Sequence, residues 1–307
     1  MDFSSGTPVR PFLRTRIAPT PSGFLHLGNI YSFVLTATLA HRHGARILLR
    51  IDDLDRQRAQ PAYIQDIFDT LNFLEIPWHD GPRDAREFER EYSQVHRLEL
   101  YRAALAELRQ QQALFACDCS RSKILQADAS GAYTGYCRQR GVPFDASEVS
   151  WRLRTDNDAP LVMHTLGEDV VSALPRDQHD FVVRKKDGDP AYQLASVVDD
   201  EHFGVDLIVR GMDLWPSTLA QLYLARVLGR ERFPETTFYH HPLMAGPDGG
   251  KLSKSAGATS IQYLRKEGKT AADIYTMLAA QAGIRERIYC WQDLGERLLI
   301  AGVQRDK

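Results

Sequence analysis

Pro19 to Asn29 reads PTPSGFLHLGN, a turn in which two glycines bracket a single histidine. Gly23 and Gly28 let backbone come close to a ligand. A helix that starts near Gly28 offers free N–H groups and the positive end of its dipole to a phosphate. His26 stands where it can donate to a phosphoryl oxygen as charge develops there. Late in the chain, Gly249-Gly250-Lys251-Leu252-Ser253-Lys254-Ser255 sets two lysines on a glycine-flanked loop. Such a loop suits a mobile polyphosphate clamp, with Lys254 neutralising a departing pyrophosphate. A plain Pro/Gly turn would account for the first stretch alone, and a solvated basic loop for the second. Together they point to a two-part polyphosphate site.

A second kind of chemistry is written in the cysteines. Cys117, Cys119 and Cys137 cluster, whereas Cys290 is remote. In a cytosolic chain such a cluster reads as metal or redox chemistry before disulfide. Tetrahedral zinc needs four ligands, and no histidine lies between Cys117 and Cys137 to supply the last.

These residues need elements to hold them. Residues 13–18 read as a short strand and 28–43 as a helix rich in apolar positions. ARILLRID (45–52) is a mostly apolar run that suits a buried parallel strand. Helices are expected near 61–74 and across 93–113. This alternation predicts a doubly wound, parallel-sheet α/β fold of the Rossmann type. The rhythm breaks between about 115 and 190, where VSWRLR (149–154) and HDFVVRKK (179–186) suggest strands of an inserted module. A helix at 191–205, a strand at 206–211, a helix at 216–228 and a strand at 236–244 restore it. That last strand runs into the lysine loop, and the remainder is expected to be helical. The parse is a first half-domain at 1–114, an insertion at 115–190, a second half at 191–260, and a short helical C-terminal part at 261–307.

Bulk properties narrow the class. The 307 residues are 43% hydrophobic and 25% charged, as in ordinary soluble globular proteins. No apolar run approaches the ~18 residues that span a membrane, and the N-terminus lacks a signal layout, so a cytoplasmic location is expected. A net charge of −2 argues against nonspecific DNA binding but allows a local basic face for a structured RNA.

The P-S-G-x-L-H-x-G turn with a late K-L-S-K-S resembles the two signatures of the class I aminoacyl-tRNA synthetases. His26 to Asn29 matches the HIGH motif and Lys251 to Ser255 the KMSKS motif. Asn29 stands where the family has its second histidine, and an amide can still donate a hydrogen bond. RIAPTPSG (16–23), RIDDLD (50–55), AYQLASVVDD (191–200) and IVRGMD (208–213) look like the glutamyl branch. The resemblance implies ATP bound over Pro19, Gly23, His26 and Gly28 with Mg2+, and His26, Asn29, Lys251 and Lys254 as catalytic residues. It also implies a glutamate site of Arg16, Ala18, Thr20, Asp52, Tyr192 and Arg210. The chemistry agrees: a side-chain carboxylate calls for a guanidinium fork, which Arg16 and Arg210 offer, and Tyr192 adds a hydroxyl. Glutamine would leave a buried guanidinium unpaired. Glutamyl members usually carry Glu where this chain has Asp52, the residue expected to hold the substrate ammonium. That departure keeps another amino acid in play.

The pattern C-x-C…Y-x-x-x-C resembles the zinc site of the glutamyl-queuosine tRNA(Asp) synthetases. That resemblance implies one structural zinc on Cys117, Cys119, Cys137 and Tyr133, with Tyr136 or a water as the other possible fourth ligand. The inserted module is then a zinc-containing acceptor-binding α/β module. Little chain follows Ser255, so no anticodon-binding domain is expected. The implied activity is ATP-dependent formation of glutamyl-adenylate and transfer to queuosine at the wobble position of tRNA(Asp), by a monomer that needs no side-chain nucleophile. A discrete glutamyl-tRNA synthetase core and a non-catalytic RNA-binding paralogue are the alternatives.

Overall fold

The computed structural model describes residues 11–156, 158–244 and 260–305, with side chains to residue 301. Its strands are β1 (Arg14–Ile17), β2 (Arg46–Leu49), β3 (Leu114–Cys117), β4 (Ser150–Leu153), β5 (Leu161–Thr165), β6 (Val170–Ser172), β7 (Val182–Arg184), β8 (Leu207–Gly211) and β9 (Thr237–His241). Its α-helices begin with α1 (Leu27–His43), α2 (Pro61–Phe73), α3 (Ala85–Glu87), α4 (Leu98–Gln110) and α5 (Arg121–Ala127). They continue with α6 (Tyr192–His202), α7 (Trp215–Val227), α8 (Ile261–Lys266), α9 (Ala271–Gln281) and α10 (Trp291–Arg305). Two compact units result. The first takes the chain through Val95, then Leu207–Met212 and the part from His240 onward; the second takes His96–Asp206 and Asp213–Tyr239.

In the first unit β2, β1 and β8 lie side by side and parallel, with Ile17 opposite Leu49 and Thr15 opposite Leu207. Buried parallel strands read as apolar runs, and Ile47, Leu48 and Leu49 are each at most 2% exposed. Helix α1 packs on β1 and β8 through Leu27, Ile30, Val34 and Leu35, all buried. Its C-terminus follows the usual glycine stop: Gly44 has φ 70° and donates to the Ala40 carbonyl, after a basic last turn of His41, Arg42 and His43. Helix α10 also packs on α1. The contact is close, since a Cβ at Gly295 would lie 1.7 Å from Thr38 Oγ1. Arg42 Nε donates to Glu296 Oε1 at 2.8 Å beside it.

In the second unit β3, β4 and β7 form an antiparallel sheet in that order. Strand β9 pairs in parallel with β5, and β5 pairs antiparallel with β6. Helices α6 and α7 pack together, and α4 packs on α6. Buried Asp199 ties the last pair, accepting from Arg97 Nε at 2.8 Å, Arg97 Nη2 at 3.1 Å and Tyr101 Oη at 2.7 Å.

Two expectations are corrected. The helix expected across 93–113 begins only at Leu98. The Asp53 carboxylate takes the Gln94 N–H at 2.8 Å and the Ser93 hydroxyl, which starts a 3-10 turn at Gln94–Arg97, and the α-helix takes over only after it. The strand expected over 179–186 shrinks to β7, because Asp180 and Thr155 clasp each other. The Asp180 N–H donates to Thr155 Oγ1 at 3.1 Å and the Thr155 N–H to Asp180 Oδ1 at 3.0 Å. Asp180 consequently sits at φ 48°, where a strand cannot pass. The β5–β6 hairpin is not anticipated, since no strong turn pair marks it in the sequence. No described helix is long and apolar enough to cross a membrane.

Candidate active site and metal centre

His26 is the N-cap of α1. Its Nδ1 accepts the Gly28 N–H at 3.1 Å, and its own N–H donates to Asn29 Oδ1 at 3.1 Å, closing a capping box. With Nδ1 accepting, the neutral imidazole carries its proton on Nε2 and is a donor there. Asn29 spends its oxygen on the cap and keeps its NH2 donors. Gly28 is needed for this pose, since a Cβ would stand 3.1 Å from both His26 Cε1 and Nδ1. Gly23 differs: a Cβ there meets nothing within 4 Å, so packing does not require glycine. Buried Asp66 of α2 accepts the Leu25 N–H at 2.9 Å, and burial raises its carboxyl above the usual range. The Leu25 carbonyl accepts the Ile261 N–H at 2.8 Å, which joins the start of α8 to this turn. Lys251 and Lys254 lie outside the described residues.

The chain beyond β1 continues to pair with the chain beyond β2. The Arg50 N–H donates to the Ile17 carbonyl at 2.9 Å and the Asp52 N–H to the Pro19 carbonyl at 3.0 Å. Ala18 and Thr20 thereby follow the same edge, and the Thr20 carbonyl accepts the Ser22 N–H at 2.8 Å. The Asp52 carboxylate is held in a fork by buried Arg50, at 2.7 Å from Nε and 3.1 Å from Nη2. A substrate ammonium would share that carboxylate with Arg50. Arg16 and Arg210 are 7% and 4% exposed, and Arg16 Nη1 donates at 3.3 Å to the carbonyl of Val209, next to Arg210. His240 stands in the field of both. Burial first, then Arg210, His241 and Arg16, drive its imidazole down to about 3, so it is neutral beside two guanidiniums. Tyr192, the first residue of α6, is 44% exposed and belongs to the second unit.

In that second unit Cys117 ends β3 and Cys119 follows, while Gly131 and Gly135, at φ 80° and 77°, turn the chain back to bring Cys137 to them. The three sulfurs lie within 4.8 Å of one another, with Cys119 Sγ and Cys137 Sγ 3.6 Å apart. The Tyr133 hydroxyl lies 3.5 Å from Cys117 Sγ and accepts the Cys137 N–H at 2.7 Å. Arg152 covers the Tyr133 ring, its Cζ 3.8 Å from the centroid. Burial opposes ionisation of Cys117, yet the Tyr133 hydroxyl and Arg152 hold that thiol below its ordinary range. Burial and the neighbouring sulfurs push Cys119 up to about 12. A cation between the sulfurs would favour the thiolate forms that ligate a metal. The donor set, soft sulfurs with one phenol oxygen, fits zinc. Of the two tyrosines, Tyr133 (9% exposed) stands with the sulfurs and Tyr136 (53% exposed) faces away from burial.

Sequence reasoning missed His240, Arg50 as the partner of Asp52, and Asp66. The only signal was the doublet His240-His241 at the end of β9, which no motif spacing distinguishes.

The family described as tRNA synthetases class I (E and Q), catalytic domain, matches residues 12–286. A Glutamyl-Q tRNA(Asp) synthetase of Symbiobacterium thermophilum is 36% identical over 287 residues, 88% of this chain and 86% of that protein. One of Geobacter sulfurreducens is 39% identical over 276 residues, 85% of this chain and 82% of that protein. A Glutamate–tRNA ligase 2 of Syntrophus aciditrophicus is 31% identical across 83% of this chain, which spans 54% of that ligase. Among solved structures, a glutamate–tRNA synthetase of Elizabethkingia anophelis superposes with a TM-score of 0.73 at 22% identity, covering 93% of this chain and 65% of that one. The shared fold is α/β with a mostly parallel central sheet.

Proposed function

The chain belongs to the class I aminoacyl-tRNA synthetases of the E and Q type and is a ligase, and from that premise we propose that it activates glutamate with ATP and transfers it to queuosine at the wobble position of tRNA(Asp). The carrying observation is the pair of buried guanidiniums, Arg16 and Arg210, with neutral His240 between their fields. A guanidinium fork matches a side-chain carboxylate in charge and geometry better than it matches an uncharged amide. The names of the relatives and the three-cysteine cluster support queuosine tRNA(Asp) as the acceptor.

ATP, with its Mg2+, lies over Pro19 to Gly28, and Asp52 receives the glutamate ammonium beside Arg50. Ala18 and Thr20 line the amino acid through backbone. The glutamate α-carboxylate attacks the α-phosphorus and pyrophosphate leaves. His26 Nε2–H, the Asn29 amide, Lys251 and Lys254 stabilise charge on the transferring and departing phosphates. A hydroxyl of the queuosine cyclopentenediol then attacks the mixed anhydride, and AMP leaves. Residues 1–114 and 191–260 act as the two halves of the catalytic domain around the module at 115–190. Zinc on Cys117, Cys119, Cys137 and Tyr133 would be structural, fixing that module's turn.

Glutamate-dependent ATP–pyrophosphate exchange without tRNA tests the activation step. Exchange with glutamate and none with glutamine is expected; its absence despite ATP binding favours the non-catalytic paralogue. The 31% identity to a glutamate–tRNA ligase favours one second reading, charging of a tRNA 3′ end.

A further inference from the structure

Next to the cysteine cluster, Tyr136, Arg138, Gln139, Arg176 and His179 border a cavity of about 520 Å3 within the second unit. That size falls in the range of small-molecule sites. None of the catalytic chemistry described above uses it.

Its walls combine an exposed ring with anchored cations. Tyr136 is 53% exposed, although an aromatic side chain ordinarily buries its faces. Arg140 Cζ lies 4.9 Å from the ring centroid, and its Nη1 is fixed by Asp118 Oδ1 at 2.8 Å and Cys137 Sγ at 3.2 Å. The ring therefore rests against a guanidinium that is itself tied to the cysteine turn. Lys123 Nζ, on a long flexible stem, lies 4.5 Å from the same centroid. Across the cavity Arg176 Nη2 pairs with Asp128 at 2.6 Å, yet the Arg176 side chain is 77% exposed, so its other donors face outward. Arg138 is braced by Asp180 at 3.3 Å and by the Thr155 carbonyl at 3.0 Å. His179 Nε2 donates to the Leu174 carbonyl at 3.0 Å, which fixes the ring and leaves Nδ1 for another partner.

We propose that this cavity is a nucleotide subsite, in which an unstacked base of the RNA substrate lies on Tyr136 and its phosphate meets Arg176 and Lys123. A π-face backed by a fixed guanidinium is what a base stacks on, and rotatable cations at the rim are what its phosphate needs. Lys123 leaves the ring as the base arrives and moves to the phosphate. His179 Nδ1 and the Gln139 amide offer the edge of the base two polar partners. An acidic peptide would use the cations but would leave the exposed ring without a role.

The subsite rests on the reading that the substrate is a tRNA, so the test separates the two. Fluorescence anisotropy with a labelled tRNA(Asp) transcript measures affinity of the full chain and of Tyr136→Ala, Tyr136→Phe and Arg176→Ala across a salt series. Tyr136→Ala is expected to weaken binding about tenfold, and Tyr136→Phe to keep it. Arg176→Ala is expected to lower the slope of log affinity against log salt by about one. Melting temperature and zinc content stay at the wild-type level in all three, showing that the second unit folds, and pyrophosphate exchange without tRNA is unchanged. Equal affinity of Tyr136→Ala and wild type overturns the subsite, as does equal weakening by Tyr136→Phe. If wild type transfers glutamate to no queuosine tRNA, the functional reading fails while the binding comparison still decides the cavity.

Discussion

The Ile261 N–H donates to the Leu25 carbonyl at 2.8 Å, so the residue that opens α8 is bonded to the residue that precedes His26. The Leu25 N–H is taken at 2.9 Å by Asp66. Leu25 is thus pinned from both sides, and the pose of His26 follows from it. The segment after the second lysine motif is anchored on the very turn that carries the first motif.

Gly28 separates packing from chemistry. At the second position of α1, alanine is a better helix former than glycine by about 1 kcal/mol. Its Cβ, however, would stand 3.1 Å from two atoms of the His26 ring. Gly28→Ala is expected to lower glutamate-dependent exchange about 100-fold with little change in melting temperature. Wild-type exchange in that variant would mean that the His26 pose is irrelevant to the reaction.

His240 predicts an acid limit to stability. Its folded value of about 3 lies below the ordinary 6.5, so the unfolded chain binds the proton first. The contribution is fully present above pH 6.5 and is lost progressively as pH falls toward about 3. Denaturant unfolding of wild type and His240→Gln over that window should differ in pH slope by about one proton. Identical slopes would place His240 in a water-like environment.

The cysteine cluster predicts a metal. Elemental analysis of the purified chain should find one zinc per molecule, and Cys119→Ser should lose it. Chelation should lower the melting temperature while leaving tRNA-free exchange measurable, because the cluster lies in the second unit. Full zinc content in Cys119→Ser would remove that residue from the ligand set.

Gly295 predicts a packing defect. Its missing Cβ would overlap Thr38 Oγ1 at 1.7 Å and Thr38 Cβ at 2.8 Å. Gly295→Ala should destabilise by about 1–3 kcal/mol, and adding Thr38→Ala should recover part of the loss. Thermal or denaturant melts of the single and double variants measure it; an unchanged midpoint in Gly295→Ala would contradict the α1–α10 contact.

Much of the first unit was legible because its signals are local. The apolar runs of β2 and β8 and the glycine stop of α1 can be read from neighbouring residues. Capping by His26 and Asn29 was half legible: the helix start was placed, but not that both side chains bond each other's backbone. The start of α4 at Leu98 was not, since it depends on Asp53 reaching Ser93 and Gln94 from far up the chain. The resemblance places Tyr133 ahead of Tyr136, and burial separates the two the same way, Tyr133 standing with the sulfurs. His240 became visible only when β9 brought it near Arg16 and Arg210.

The acceptor is the central claim, and labelled glutamate tests it most directly. The chain, ATP and labelled glutamate are incubated in parallel with tRNA(Asp) from queuosine-making cells, tRNA(Asp) from cells lacking queuosine, and tRNA(Glu). The account predicts label on the first alone, released with the queuosine nucleoside on digestion. Label on the 3′ end of tRNA(Glu), with none on queuosine tRNA(Asp), would contradict it.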